Sequence, residues 1–128
     1  LIKKETDFVK KSGIIIKPYI SNALEYYKES KVIILPTSYG EGLSRVVLES
    51  IYLSIPLLVS RNQGTEEILP INYKYFTISK NPSVLIGQLV EILKDGEYIE
   101  KIFKKQKLII EKYYSTTNSI KVFESFLN

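Results

Sequence analysis

Apolar and polar positions along this chain change their period several times, and each change marks an element. Ile14-Ile15-Ile16 and Lys31-Val32-Ile33-Ile34-Leu35 are short runs rich in β-branched residues. Both read as strands, the second a buried parallel strand stopped by Pro36. Between them Ser21 or Asn22 can cap a helix running to about Ser30, with Leu24 and Tyr27 inward. From Leu43 the apolar positions Leu43, Val46, Val47, Ser50 and Ile51 take the stripe of a helix packed on a sheet. Leu57-Leu58-Val59 is the next buried strand, Thr65 to Leu69 a short helix, and Lys74 to Ile78 a last strand at a sheet edge.

The remainder reads as helices. Asn81-Pro82-Ser83 starts one, with proline in its first turn and Leu85, Leu89, Ile92 and Leu93 facing inward. Asp95-Gly96 stops it, and a second runs from about Glu97 to Tyr113. A third begins at Thr116 or Thr117 and carries Ile120, Val122, Phe123, Phe126 and Leu127, while residues 1–12 read as the tail of a helix ended by Gly13. Strand and helix alternate, which predicts an α/β fold with an open parallel sheet of about four strands flanked by helices.

Composition narrows the chemistry. The 128 residues suffice for one domain with a core, and 45% hydrophobic with 25% charged residues is ordinary for a globular protein. Without cysteine there are neither disulfides nor thiolate metal sites. Without histidine the usual base near neutral pH is gone, and with it the commonest metal ligand. No apolar run approaches the ~20 residues of a membrane span. The net charge of +4 comes largely from Lys94, Lys101, Lys104, Lys105, Lys107 and Lys112 on helical sequence. That pattern reads as a solvated face or as an attraction to an anionic membrane or polyphosphate. The chain has no methionine and begins at Leu1, so it reads as a fragment of a longer protein.

The candidate chemistry gathers where the Lys31–Leu35 strand runs into the helix. The connection Pro36-Thr37-Ser38-Tyr39-Gly40-Glu41-Gly42 is polar and twice uses glycine. A strand, a glycine-bearing loop and a helix N-terminus together gather free N–H groups and a positive dipole end, which suits phosphate. Ligands of open parallel sheets sit at such strand ends. Glu41 lies in the loop, and Glu49 on the flank of the helix, about 12 Å farther along if the whole segment is helical. One carboxylate on each side of a bound diphosphate is what a sugar nucleotide needs, with a hexose at one end and a ribose at the other. The competing reading is physical too: Glu41, Arg45 and Glu49 at i, i+4 and i+8 can form an exposed ion-pair ladder.

Pro36-Thr37-Ser38, Glu41-Gly42-Leu43 and Glu49, followed by Ile55-Pro56-Leu57-Leu58-Val59-Ser60 and Gly64-Thr65-Glu66-Glu67-Ile68, resemble family 4 glycosyltransferases of the GT-B fold, with their Glu-x7-Glu element. The resemblance spans roughly Gly13 to Tyr113 and is dense from Leu35 to Ile68. It implies the Rossmann-like, C-terminal, donor-binding half of such an enzyme, with residues 1–128 forming part of that domain. The acceptor domain, and the cations that grip the diphosphate, would then lie ahead of this sequence. The Gly-Leu-Ser-Arg variant is closest to transferases of bacterial capsule, O-antigen and lipid-linked sugars. The implied reaction moves a sugar, with retention, from a nucleoside diphosphate sugar (UDP-sugar first among them) to a hydroxyl of a polysaccharide or lipid-linked acceptor. Glu41 would hold the reacting sugar and act as the catalytic residue, and Glu49 would hold the ribose hydroxyls. Gly40, Gly42, Leu43 and Ser44 would line the diphosphate, the last three through their N–H groups, and Lys17, Pro18 and Tyr19 would meet the base. No cofactor or metal is implied. The location would be cytoplasmic, at the inner face of the membrane where contact is peripheral.

This sequence departs from the pattern in places. Lys17 and Pro18 stand where the family usually has a glycine, Ser54 stands for a helix-ending glycine, and Gln63 replaces one glycine of the later loop. A plain strand-to-helix turn is the competing reading of Lys17 to Ile20. Two other functions compete with this one. A non-catalytic nucleotide-binding or regulatory domain of receiver type needs an acidic pocket at strand ends, and the only aspartates are Asp7 and Asp95. Nucleic-acid binding is suggested by charge and ten tyrosines, but no recognisable motif interleaves them.

Overall fold

The computed structural model describes residues 11–37, 42–76 and 80–115. Its elements in order are α1 (Ala23–Glu29), β1 (Ile33–Leu35), α2 (Arg45–Tyr52), β2 (Leu57–Val59), α3 (Gln63–Glu66), α4 (Pro82–Lys94) and α5 (Gly96–Tyr113). The strands β1 and β2 are parallel, with Ile33 opposite Leu57, Ile34 opposite Leu58 and Leu35 opposite Val59. Parallel neighbours require a crossover, and α2 supplies it, which makes β1-α2-β2 a βαβ unit. On its far side β2 meets Phe76 in a single parallel bridge, where Val59 N–H donates to the Tyr75 carbonyl at 3.1 Å. The chain is therefore a mixed α/β, partly Rossmann-like body built on a small parallel sheet.

The core gathers on β2. Leu57, Leu58 and Val59 are wholly buried because the strand has neighbours on both edges and helices over it. Val47 and Ile51 of α2, Ile92 of α4, and Ile99 and Phe103 of α5 complete the cluster with Ile68, Leu69, Tyr73, Tyr75 and Phe76. Tyr73 is its polar anchor: its hydroxyl donates to the Leu57 carbonyl at 2.7 Å, and its ring stacks with Tyr98 and Phe103. Deep burial pushes this phenol far above its ordinary pKa.

The junction between α4 and α5 is tied to the same segment. Asp95 accepts hydrogen bonds from Lys74 Nζ at 2.9 Å and from the Tyr75 hydroxyl at 2.8 Å, and Tyr98 Oη accepts from Lys74 N–H at 3.0 Å. Lys74, and then Tyr75, hold the Asp95 carboxyl below the usual carboxylate range. Burial, and then the bond to Asp95, push Tyr75 up.

Several sequence expectations change. Ile14-Ile15-Ile16 is not a strand among the described residues, and its side chains are exposed, Ile15 at 76%. As a result β1 is an edge among the described residues, and Ile34 is 41% exposed rather than buried. Leu24 of α1 likewise faces solvent, while Tyr27 is half-buried. The α2 helix starts at Arg45, so Leu43 precedes it and is exposed, although Val47, Ser50 and Ile51 are buried as the stripe requires. The short helix starts at Gln63 instead of Thr65 because Asn62 caps it: Asn62 Oδ1 accepts from Thr65 N–H, and Thr65 Oγ1 accepts from Asn62 N–H. Leu93, about 100° around the helix from the buried Ile92, is exposed. Of the edge strand expected from Lys74, the described residues show the bridge at Phe76. Residues 1–10 of the expected first helix, the helix expected from Thr116 or Thr117, and residues 77–78 of the edge strand lie outside the described residues.

Candidate functional site

The site expected from the sequence is built on α2. Ser44 is its N-cap and is nearly buried, and its carbonyl accepts the first helical bond, from Leu48 N–H at 3.1 Å. Its hydroxyl does not cap the helix, so Ser44 leaves the N–H groups of the first turn without its side chain as acceptor. Gly42 and Leu43 lead in as exposed bends. A Cβ on Gly42 would meet nothing within 4 Å, so packing among the described residues does not demand glycine at this position. Gly40 and Glu41 lie outside the described residues.

One turn into the helix, Glu49 keeps 25% of its side-chain surface exposed. Arg45 Nη2 donates to Glu49 Oε1 at 3.1 Å. This is the upper rung of the ion-pair ladder that competed with the donor-site reading, so the pair itself favours neither. What distinguishes them is the space around it. A cleft of about 340 Å³ runs between residues 19–24 and the Arg45, Val46 and Glu49 face of α2. Tyr19, expected to meet the base, borders this cavity with 95% of its surface exposed, and Glu49, expected to meet the ribose, borders it from α2.

The other expected residues do not join them there. Gly42, Leu43 and Ser44 are not among the cleft walls. Lys17 and Pro18 are exposed, and the Lys17 ammonium lies 5.4 Å from the centre of the Tyr26 ring on α1. Sequence reasoning missed that residues 20–24, the entry to α1, would form half the cleft. Asn22 stands at the N-cap of α1 as the sequence offers, but neither it nor Ser21 makes a side-chain capping bond. Tyr27, half-buried as expected, has its phenol pushed up by burial and then by the Glu49 carboxylate, with Arg45 opposing.

The loop after β2 carries further polar groups. Arg61 Nη1 donates to Glu66 at 2.6 Å and Nη2 to the Ile71 carbonyl at 3.1 Å, and the guanidinium lies 4.3 Å from the centre of the Phe76 ring. Gln63 and Glu67 are exposed, Gly64 is buried, and Asn62 Nδ2 is buried with no acceptor among the described residues. Asp95, one of the two aspartates a receiver-type site would call on, is engaged by Lys74 and Tyr75. Among the described residues no helix is long and apolar enough to cross a membrane.

Among curated proteins, none matches this sequence. A family model does: that of the glycosyl transferases group 1, over residues 4–109. This match spans α1 to most of α5, including the cleft and the junction after β1. The chain therefore belongs to the glycosyl transferases group 1, a family whose chemistry is the transfer of a glycosyl group from a nucleotide-sugar donor to an acceptor.

Proposed function

We propose that these residues form part of the donor-binding domain of a retaining glycosyltransferase that uses a UDP-sugar. The acceptor is a hydroxyl on a cell-envelope polysaccharide or lipid-linked saccharide, of the capsule or O-antigen kind. The observation that carries the reading is the cleft between residues 19–24 and α2, bordered by an exposed aromatic side chain, Tyr19, and by the Glu49 carboxylate. A nucleoside fits that pairing: Tyr19 offers a face for the base, and Glu49 accepts from the vicinal ribose hydroxyls in charge-assisted bonds.

The remaining roles follow in chain order. Lys17 and Pro18 flank the base. Gly40, Gly42, Leu43 and Ser44, at the entrance to α2, lie along the diphosphate, whose developing charge is the main electrostatic load of the departing group. Glu41 holds the reacting sugar. In this reading an acceptor domain precedes the sequence and closes over the donor, and these residues alone do not turn over sugar nucleotide. The work is done at the cytoplasmic face of a membrane, with the lysines of α5, Lys101, Lys104 and Lys105, turned to anionic lipid.

Calorimetric titration of the intact protein with UDP, GDP, CDP and ADP tests the donor class, and the anomeric configuration of the product, read by NMR, tests retention. UDP binding well ahead of the other three, with retained product, is expected. Absence of UDP binding at millimolar concentration overturns the donor reading, and inverted product overturns the mechanism.

A further inference from the structure

The cleft holds one cation and one anion among its described walls, and they are bonded to each other. Arg45 and Glu49 both line it, and the rest of its described lining is uncharged. Their pair is made by a single hydrogen bond of 3.1 Å, and the Arg45 side chain is 87% exposed. Exposed helix pairs of this spacing are weak, so the guanidinium can leave Glu49 at small cost.

Direction along the helix matters next. Arg45 is one turn, about 6 Å, closer than Glu49 to the N-terminus of α2. With the ribose diol at Glu49, the 5′-phosphate of a nucleotide running toward the helix entrance comes to the level of Arg45. The guanidinium is a planar fork of five donors, and only Nη2 is used by Glu49.

We propose that Arg45 is a phosphate ligand of the donor, and that binding exchanges one partner for another on both residues. Arg45 passes from the Glu49 carboxylate to the diphosphate, and Glu49, released, takes the ribose hydroxyls. In the empty cleft each holds the other's charge in place. Once the nucleotide is in, each meets a group of complementary character. The inference rests on the donor-site reading of this cleft and adds to it a cation from within the chain. It also turns the ion-pair reading and the donor-site reading into two states of one pair.

Binding of uridine, UMP and UDP to the intact protein, compared for wild type, Arg45→Ala and Arg45→Lys, tests it. The expected result is a loss of about ten- to a hundredfold in UDP affinity for Arg45→Ala. UMP should lose less, uridine should be unchanged or bind more tightly because Glu49 is already free, and Arg45→Lys should recover part of the UDP affinity. Equal UDP affinity in wild type and Arg45→Ala overturns the proposal while leaving the donor site standing. Loss of uridine and UDP affinity by the same factor overturns it too, since Arg45 would then act only by orienting Glu49. Failure of wild type to bind UDP overturns both. Arg45 is exposed, and unchanged circular dichroism of the variants separates these outcomes from misfolding.

Discussion

Lys107 Nζ on α5 donates a 2.8 Å hydrogen bond to Ser54 Oγ, and Ser54 is the residue just past α2 whose backbone sits at φ +60°. Around it Ile55 N–H reaches back to the Ser50 carbonyl at 2.9 Å and Ser54 N–H to Ile51 at 3.1 Å, a Schellman ending. Such an ending favours glycine, and serine there costs about 1–2 kcal/mol of left-handed strain. Ser54→Gly relieves that strain and gives up one exposed hydrogen bond and some unfolded-state restriction. The expected net is a gain of about 0.5–1 kcal/mol in unfolding free energy. Ser54→Ala keeps the strain and loses the bond, so it should be no more stable than wild type. Denaturant titration of the three proteins orders them, and a destabilised glycine variant would show that the Lys107 bond outweighs the strain.

Tyr73 carries the second prediction. Its hydroxyl is buried and donates to a strand carbonyl, that of Leu57. Tyr73→Phe keeps the ring contacts and strands a buried acceptor, which costs about 1–3 kcal/mol. Urea unfolding should show the loss without a change in m-value. A neutral substitution would mean that the carbonyl finds another donor.

The linkage of Lys74, Tyr75 and Asp95 makes stability fall at both ends of the pH range. Asp95 has its pKa lowered by folding, so its contribution is present above the ordinary aspartate value near 3.9 and is lost as pH falls through the folded value. Lys74, Tyr75 and Tyr73 have theirs raised, so their contributions are full below about 10 and are lost as pH rises beyond it. Melting temperature against pH should show a plateau between these limits. In Asp95→Asn the acid-side fall should be shallower, and an unchanged acid limb would remove Asp95 from the account.

Much of the fold was legible in the sequence where local chemistry and packing agree. Asn81-Pro82 announces α4, and the structure has Asn81 Oδ1 accepting from Ser83 N–H at 3.0 Å with proline at the helix start. Leu57-Leu58-Val59 is a central strand because both its edges find partners. Ile14-Ile15-Ile16 is richer in β-branched residues and has no partner strand among the described residues, since propensity makes a strand only where a neighbour offers its N–H and C=O groups. Of the expected site, Tyr19 and Glu49 border one cleft, while Gly42, Leu43 and Ser44 do not. The Arg45–Glu49 bond was legible as an i, i+4 pair and nothing more, because such a pair looks the same on any exposed helix.

The two glutamates of the Glu-x7-Glu element should separate in solution. If Glu49 accepts from ribose hydroxyls, Glu49→Gln weakens UDP and UDP-sugar alike. Removing one charged acceptor costs roughly 1.5–3 kcal/mol, about ten- to a hundredfold in affinity. Release of Arg45 from its partner offsets part of this for UDP, whose phosphates it can then meet without exchange, so the loss should be larger for uridine. Glu41→Gln should leave UDP binding nearly untouched, because UDP lacks the sugar that Glu41 is proposed to hold. Turnover should fall instead, since that contact gains value as the sugar develops positive charge. A plain surface ladder predicts the opposite pattern for Glu49: a few tenths of a kcal/mol in stability and no effect on any ligand. Calorimetry of the intact wild type and both variants with uridine and UDP, alongside sugar-transfer rates, distinguishes them. Equal UDP and uridine affinities for wild type and Glu49→Gln would leave Glu49 as half of a surface ion pair.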